Sequence, residues 1–114
     1  MILTIRNSYF SKVNGEDSYI VVFGGEVDPS DKGHEGAGGF SNDLILISEK
    51  TFNVEKISKA MIETDEWPLQ RGWSAGCTTS NSGKCRLTVF GGLSGDDNNP
   101  QRLNDLWVLS IVPK

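Results

Sequence analysis

No apolar stretch in this chain approaches the roughly 18 residues that a membrane-spanning helix requires. The opening run Met1–Ile5 is too short for the apolar core of a secretory signal. No run of five like charges occurs either, and 11 Lys and Arg stand against 15 Asp and Glu for a formal charge of -4. The basic footprint of a phosphate-backbone binder is therefore missing, and neither nucleic acid nor a membrane is expected as a partner. There is no Asn-x-Ser/Thr site. Histidine occurs once and cysteine twice. Cys77 and Cys85 flank a hairpin whose two-residue turn would be Ser82-Gly83, which sets Cys85 opposite Ser80 and Cys77 on the other face. A disulfide would need a different register, so the pair reads as two reduced thiols in a protein of the cytosol or nucleus.

Catalytic signatures are equally sparse. A G-x-S-x-G elbow is absent, and Gly91-Gly92-Leu93-Ser94-Gly95 lacks the Gly-Lys-Ser/Thr of a phosphate loop. His34 could serve as a base, but the sequence places no Ser or Cys specifically beside it. What the chain does contain is glycine, 13 of 114 residues, with 37% apolar and 23% charged residues, a composition suited to one modest folded unit.

Strand-like runs dominate. Tyr19-Ile20-Val21-Val22-Phe23 and Leu87-Thr88-Val89-Phe90 are rich in β-branched and aromatic residues, and each stops at a glycine pair, Gly24-Gly25 or Gly91-Gly92. Leu44-Ile45-Leu46-Ile47 and Leu106-Trp107-Val108-Leu109 each follow an Asn-Asp pair, whose side chains bond their own backbone and lead from loop into strand. These features recur in one order, with Arg6 ahead of the first glycine pair and Arg71 ahead of the second. Each unit reads as strand, hairpin, strand ending in Gly-Gly, long loop and Asn-Asp strand. The first adds a fourth strand around Phe52-Asn53-Val54-Glu55, and the second stops before its fourth. The expected fold is all-β: two four-stranded antiparallel units, 1–58 and 59–114, the second lacking its last strand. Val54, Ile57, Ala60 and Met61 also fit a short helix over 55–63, but Pro68 and the acidic cluster at 63–66 favour a strand ending near Ile57 and an exposed connection to Gln70.

Arg71-Gly72-Trp73-Ser74, Val89-Phe90-Gly91-Gly92 and Asn104-Asp105-Leu106-Trp107, with Val22-Phe23-Gly24-Gly25, Asn42-Asp43-Leu44 and Phe52, resemble kelch repeats, which build β-propellers. The resemblance spans roughly Arg6 to Ile111. It implies a partial propeller of two blades, with Trp107, Phe90 and Phe52 filling space between blades and Arg71 opening an innermost strand. It also implies that further blades, or other copies of the chain, complete the ring, for example three copies forming six blades. A C-terminal blade completed by a distant N-terminal strand would end as this one does.

The first loop, Gly24-Gly25-Glu26, Pro29-Ser30 and Gly33-His34-Glu35-Gly36-Ala37-Gly38, is similar to a stretch in plant glucosinolate specifier proteins and related fungal kelch proteins. Those plant proteins direct the breakdown of a thiohydroximate sulfate and are associated with ferrous iron through a Glu-x-x-x-Asp-x-x-x-His pattern. Here Glu26 and His34 have the right spacing, but Ser30 stands where the middle acid belongs, so the iron site is not carried over; no cofactor is expected, with a divalent metal such as iron as the minor alternative.

Loops joining strands two to three and four to one emerge on one face, and here they are the long ones, 26–41, 58–70 and 93–103. Glu26, Asp28, His34, Glu35, Arg71, Trp73 and Arg102 on or near that face are the candidate contacts for a protein partner or small ligand. For Trp73, core packing is the stronger expectation. Asp96-Asp97, followed by Asn98-Asn99-Pro100, reads as a solvated turn. The functional expectation is a non-catalytic interaction module, with a specifier-like activity as the alternative.

Overall fold

The structure is a computed structural model that describes residues 2–6, 19–62, 65–81 and 84–112. It is all-β, and no α-helix occurs among the described residues. The first unit is a three-stranded antiparallel sheet in the order β2 (Tyr19–Phe23), β5 (Leu44–Ser48), β6 (Val54–Ile57). A small ladder of β3 (Glu26–Asp28) and β4 (Gly39–Phe40) extends its first hairpin. The second unit is a sheet of β7 (Ala75–Asn81), β8 (Lys84–Gly95) and β9 (Pro100–Val112), with β1 (Ile2–Arg6) on its outer edge.

Alternation explains the first sheet. Val21 stands beside Leu46, and Phe23 beside Leu44 and Ile57, on one face, while Ile20 joins Ile47 and Val54 on the other. Leu44, Leu46 and Ile57 are almost wholly buried and form one cluster with Ile62 and Leu109. Leu87 and Trp107 of the second sheet pack against this cluster, as does Trp67 from the connection. One face of each sheet thus closes on the other, the usual way a pleated sheet buries its apolar side.

Several sequence expectations need correction. Ile2–Arg6 does not open the first unit: it pairs in parallel with β9, Ile2 opposite Val108 and Arg6 opposite Val112. The second sheet is therefore four-stranded after all. The outer edge of a 13-residue strand offers a long row of unpaired backbone groups, and a short β-branched strand can cover it. A parallel partner needs a long crossover, which the whole first unit supplies. The strand expected before β2 falls on residues 7–18, outside those described.

Residues 93–103 are not a long loop. The ladder breaks at a bulge between Phe90 and Gly92, then resumes with Gly92 opposite Leu103 and runs to Gly95 opposite Pro100. Gly91 and Gly92 have φ of 63° and 104°, which lets the strand bend without stopping. The first unit repeats this two-tier plan around Gly24-Gly25. Over the described residues 55–62 the segment forms no α-helix, only a 3₁₀ turn at Lys59–Met61 beyond the strand. The turn at Ser82-Gly83 lies outside the described residues, but its flanks keep the expected register, with Ser80 opposite Cys85 and Asn81 opposite Lys84. Cys77 faces Thr88, and both cysteines are exposed and unbridged.

Phe52 and Phe90 do not fill the junction between the two units. Phe52 sits at a turn with φ of 58° and is exposed, as is Phe90. Of the three aromatics expected there, Trp107 is the one that packs against the shared core.

Candidate functional site

The two units are joined where Arg71 enters the second one. Its backbone N–H donates to the Ser41 carbonyl (3.1 Å), Ser41 N–H to the Gly25 carbonyl (2.8 Å), and Gly25 N–H to the Arg71 carbonyl (2.8 Å). Gly72 and Leu93 then exchange backbone hydrogen bonds of 3.0 and 2.9 Å, tying the same segment to the second hairpin. A side chain at Gly24 would put its Cβ 2.5 Å from the Arg71 carbonyl oxygen, and the φ of 72° there already suits glycine.

The Arg71 side chain, expected at the ligand face, is instead buried. Its Nε donates to the Leu69 carbonyl (3.0 Å) and its Nη1 to the Gly91 carbonyl (3.2 Å). The guanidinium fork meets the Asp105 carboxylate at 2.6 and 2.8 Å, and Trp107 Nε1 donates to the same carboxylate at 2.8 Å. The Arg71 hydrogen bonds hold the Asp105 carboxyl well below the usual carboxylate range; burial opposes this, and the Trp107 N–H adds to it. This planar bidentate geometry is one that Arg, not Lys, can make. Arg71 is thus committed to holding the β8 bulge and Asp105 of β9 in its own unit while its backbone grips the other unit.

The hairpin tips of the two units also meet. Asp96 to Asn99 make a tight turn closed by reciprocal backbone hydrogen bonds, with Asp96 Oδ1 accepting from the N–H groups of Asn98 and Asn99 at 2.9 Å. Asp97 is not simply solvated. Its carboxylate accepts from the Ser30 hydroxyl at 2.7–2.8 Å and from Asp31 N–H at 3.2 Å. Its backbone carbonyl accepts from Lys32 Nζ at 3.1 Å. Gly36 crowds the same carboxylate so closely that a Cβ there would collide with it. The glycine-rich first loop is therefore anchored to the neighbouring unit's turn.

Of the other expected contacts, Glu26, Asp28, Glu35 and Arg102 are exposed. Glu26 and Asp28 lie on β3, Glu35 closes the 3₁₀ turn Gly33–Glu35, and Arg102 on β9 stands opposite Leu93. His34 lies in the same turn, its side chain outside the described ones. Trp73 is not core: it is 59% exposed, adopts φ of 56°, and meets Phe40 edge-on with ring centroids 6.3 Å apart. A bulky side chain in the left-handed region is rare, and such strain clusters at functional positions. Phe40 in turn packs over Gly72, where a Cβ would lie 2.7 Å from its ring. The solvent-facing surface beside the joint thus carries an exposed indole, with the acidic Glu26 and Asp28 on the adjoining ladder.

Sequence reasoning passed over Asp105, Ser30 and Asp97. Asp105 was visible as half of an Asn-Asp pair, and its matched position after Arg71 in the repeat was the available signal. Ser30 and Asp97 come together from distant segments and left none.

No family model matches the chain. It is 35% identical over 74 residues to an N-(sulfonatooxy)prop-2-enimidothioate sulfolyase of Thlaspi arvense. The match takes in 65% of this chain and 20% of that protein, so the chain spans about a fifth of the relative's length. With the two-tier hairpins and the ordered repeat, this partial match supports a kelch-like relationship.

Proposed function

We propose that the chain is a kelch-type propeller segment that binds a protein partner or small ligand at the tips of its hairpins and does no chemistry by itself. The observation that carries this reading is Trp73, an exposed indole in a strained backbone conformation beside two cross-anchored hairpins. A rigid aromatic loses little conformational entropy on contact and gives large area, the usual property of a binding anchor. Glu26, Asp28, Glu35 and Arg102 would add charged contacts around it. Affinity capture with the wild-type chain and with Trp73→Ala tests the reading. A protein retained by wild type and lost from the variant supports it; identical retention contradicts it.

A second reading is favoured by the relative from Thlaspi arvense: the chain belongs to a specifier-like protein acting on a sulfonatooxy-imidothioate. The iron pattern implied by the family resemblance is incomplete here, since Ser30 offers a neutral hydroxyl already donated to Asp97. No step through iron is therefore derived for this chain. Incubation of N-(sulfonatooxy)prop-2-enimidothioate with and without the chain and ferrous salt separates the readings. A changed product profile that needs the chain favours the second; an unchanged profile leaves the binding module.

A further inference from the structure

An open cleft of about 440 Å³ lies on the first unit, and none of the hairpin-tip residues lines it. Its walls are Asn42 and Asp43, where β5 begins, Lys56, Ile57, Ser58 and Lys59, where β6 ends, and Trp67 of the connection that follows. Small-molecule sites fall in the range of roughly 300–1,000 Å³. The frame around it is firmly held. Ile57 is 1% exposed and belongs to the core. Trp67 Nε1 donates to the Asn42 carbonyl at 2.9 Å, and Asn42 Nδ2 donates to the Pro68 carbonyl at 3.4 Å.

Trp67 also packs against the apolar core and borders the joint beside Phe23, Leu44 and Trp107. Its indole therefore divides the core from the open cleft, and a ring fixed in this way offers a contact surface with little further loss of side-chain freedom. The charge of the cleft differs from that of the chain. Lys56 Nζ stands 3.1 Å from the Asp43 carboxylate, whereas Lys59 makes no ion pair among the described residues. Two lysines against one aspartate leave the walls with one excess positive charge, in a chain of net charge -4. Asp65 and Glu66, just before Trp67, are not among those walls. Local positive charge beside a fixed aromatic wall suits an anion carried on a flat ring.

We propose that this cleft is a binding site for a small aromatic carboxylate, its ring against Trp67 and its carboxylate at the Lys59 ammonium, with Lys56 adding to the attraction. The site is separate from Trp73 and does not rest on the reading of that residue as a binding anchor.

Titration of the isotope-labelled chain with naphthoate, followed in amide and indole N–H correlation spectra, tests this. Naphthylmethylamine, an ammonium ion at neutral pH, is the charge-reversed probe of the same ring. Naphthoate is expected to give saturable shifts of the Trp67 indole N–H and of the Asn42 and Lys59 amides, with a Kd of roughly 1 mM, ordinary for a ligand of that size. The ammonium probe should give no comparable response. Lys59→Glu should weaken naphthoate binding about tenfold, since an exposed charge is inverted and not merely lost, and Lys59→Arg should retain it. Lys59 is exposed, and the same spectra verify that each variant keeps the fold. No shift at Trp67 up to roughly 10 mM naphthoate overturns the proposal. So does an equal response to the ammonium probe, or undiminished binding by Lys59→Glu. Shifts confined to the Trp73 indole would place the ligand at the hairpin tips and overturn it as well.

Discussion

Replacing Asp105 with Asn removes the charge facing Arg71 while preserving shape. Arg71 is 1% exposed, too buried for solvent to replace the lost partner, and an amide NH₂ would meet at least one guanidinium N–H donor to donor. Breaking a buried pair from one side costs about 3–5 kcal/mol. The Asp105 side chain is 40% exposed, so solvent screening places the cost near the lower end, about 3 kcal/mol. For a domain of this size that corresponds to a melting temperature lowered by about 12 °C. Urea unfolding of wild type, Asp105→Asn, Arg71→Met and the double variant forms a complete cycle. With Met at position 71 no buried cation remains, and Asp105→Asn should then cost less than about 1 kcal/mol. The pH dependence has a definite sign. The folded carboxyl titrates below its unfolded value of about 3.9, so its contribution is complete above roughly pH 5 and is lost as pH falls toward the folded value. The gap between wild type and Asp105→Asn should therefore narrow in acid. Equal costs of Asp105→Asn with and without Arg71, or a gap that does not change with pH, would refute the reasoning.

Other consequences are open to measurement. Asp97→Ala frees the first loop from the neighbouring turn, and hydrogen exchange at the Glu35 amide should accelerate at least about tenfold, equivalent to about 1.4 kcal/mol of local stability; unchanged exchange would mean the tips are not coupled. Gly24→Ala should cost about 2–4 kcal/mol in denaturant unfolding, combining the left-handed φ with the Arg71 carbonyl in its path, whereas Gly33→Ala, with φ of 63° and open space around it, should cost about 1 kcal/mol. Both cysteines should react with a thiol reagent in the native protein, and mild oxidation should give no internal bridge; loss of two thiols within one chain would contradict the register at Cys77 and Cys85.

Much of the fold was legible because the strands carry their signal locally. β-Branched runs ending in Gly-Gly or starting after Asn-Asp are short-range patterns, but the continuous apolar run 44–47 names no inner face, and only the packing shows that Leu44 and Leu46 are the core residues. The bulge hid the rest of the hairpins. Beyond Gly91-Gly92 the sequence turns polar and glycine-rich, and only the backbone ladder to Pro100 shows that pairing continues. The edge position of Ile2–Arg6 was illegible for another reason: a five-residue strand pairs wherever an edge is open, and nothing local chooses between sheets. Arg71 was singled out correctly as a repeat landmark, but exposure cannot be read from one residue. Its burial depends on Asp105, 34 positions further on, whose charge is what makes an interior guanidinium tolerable.

The central claim is that the chain holds two repeated units, the Phe23 and Leu44 face of the first packed on the Val89 and Trp107 face of the second. A carbon-edited nuclear Overhauser spectrum of the chain tests it most directly. The account predicts cross-peaks from the Trp107 and Leu109 side chains to those of Phe23 and Leu44. Cross-peaks from Phe90 to Phe23, with Trp107 facing solvent, would contradict it.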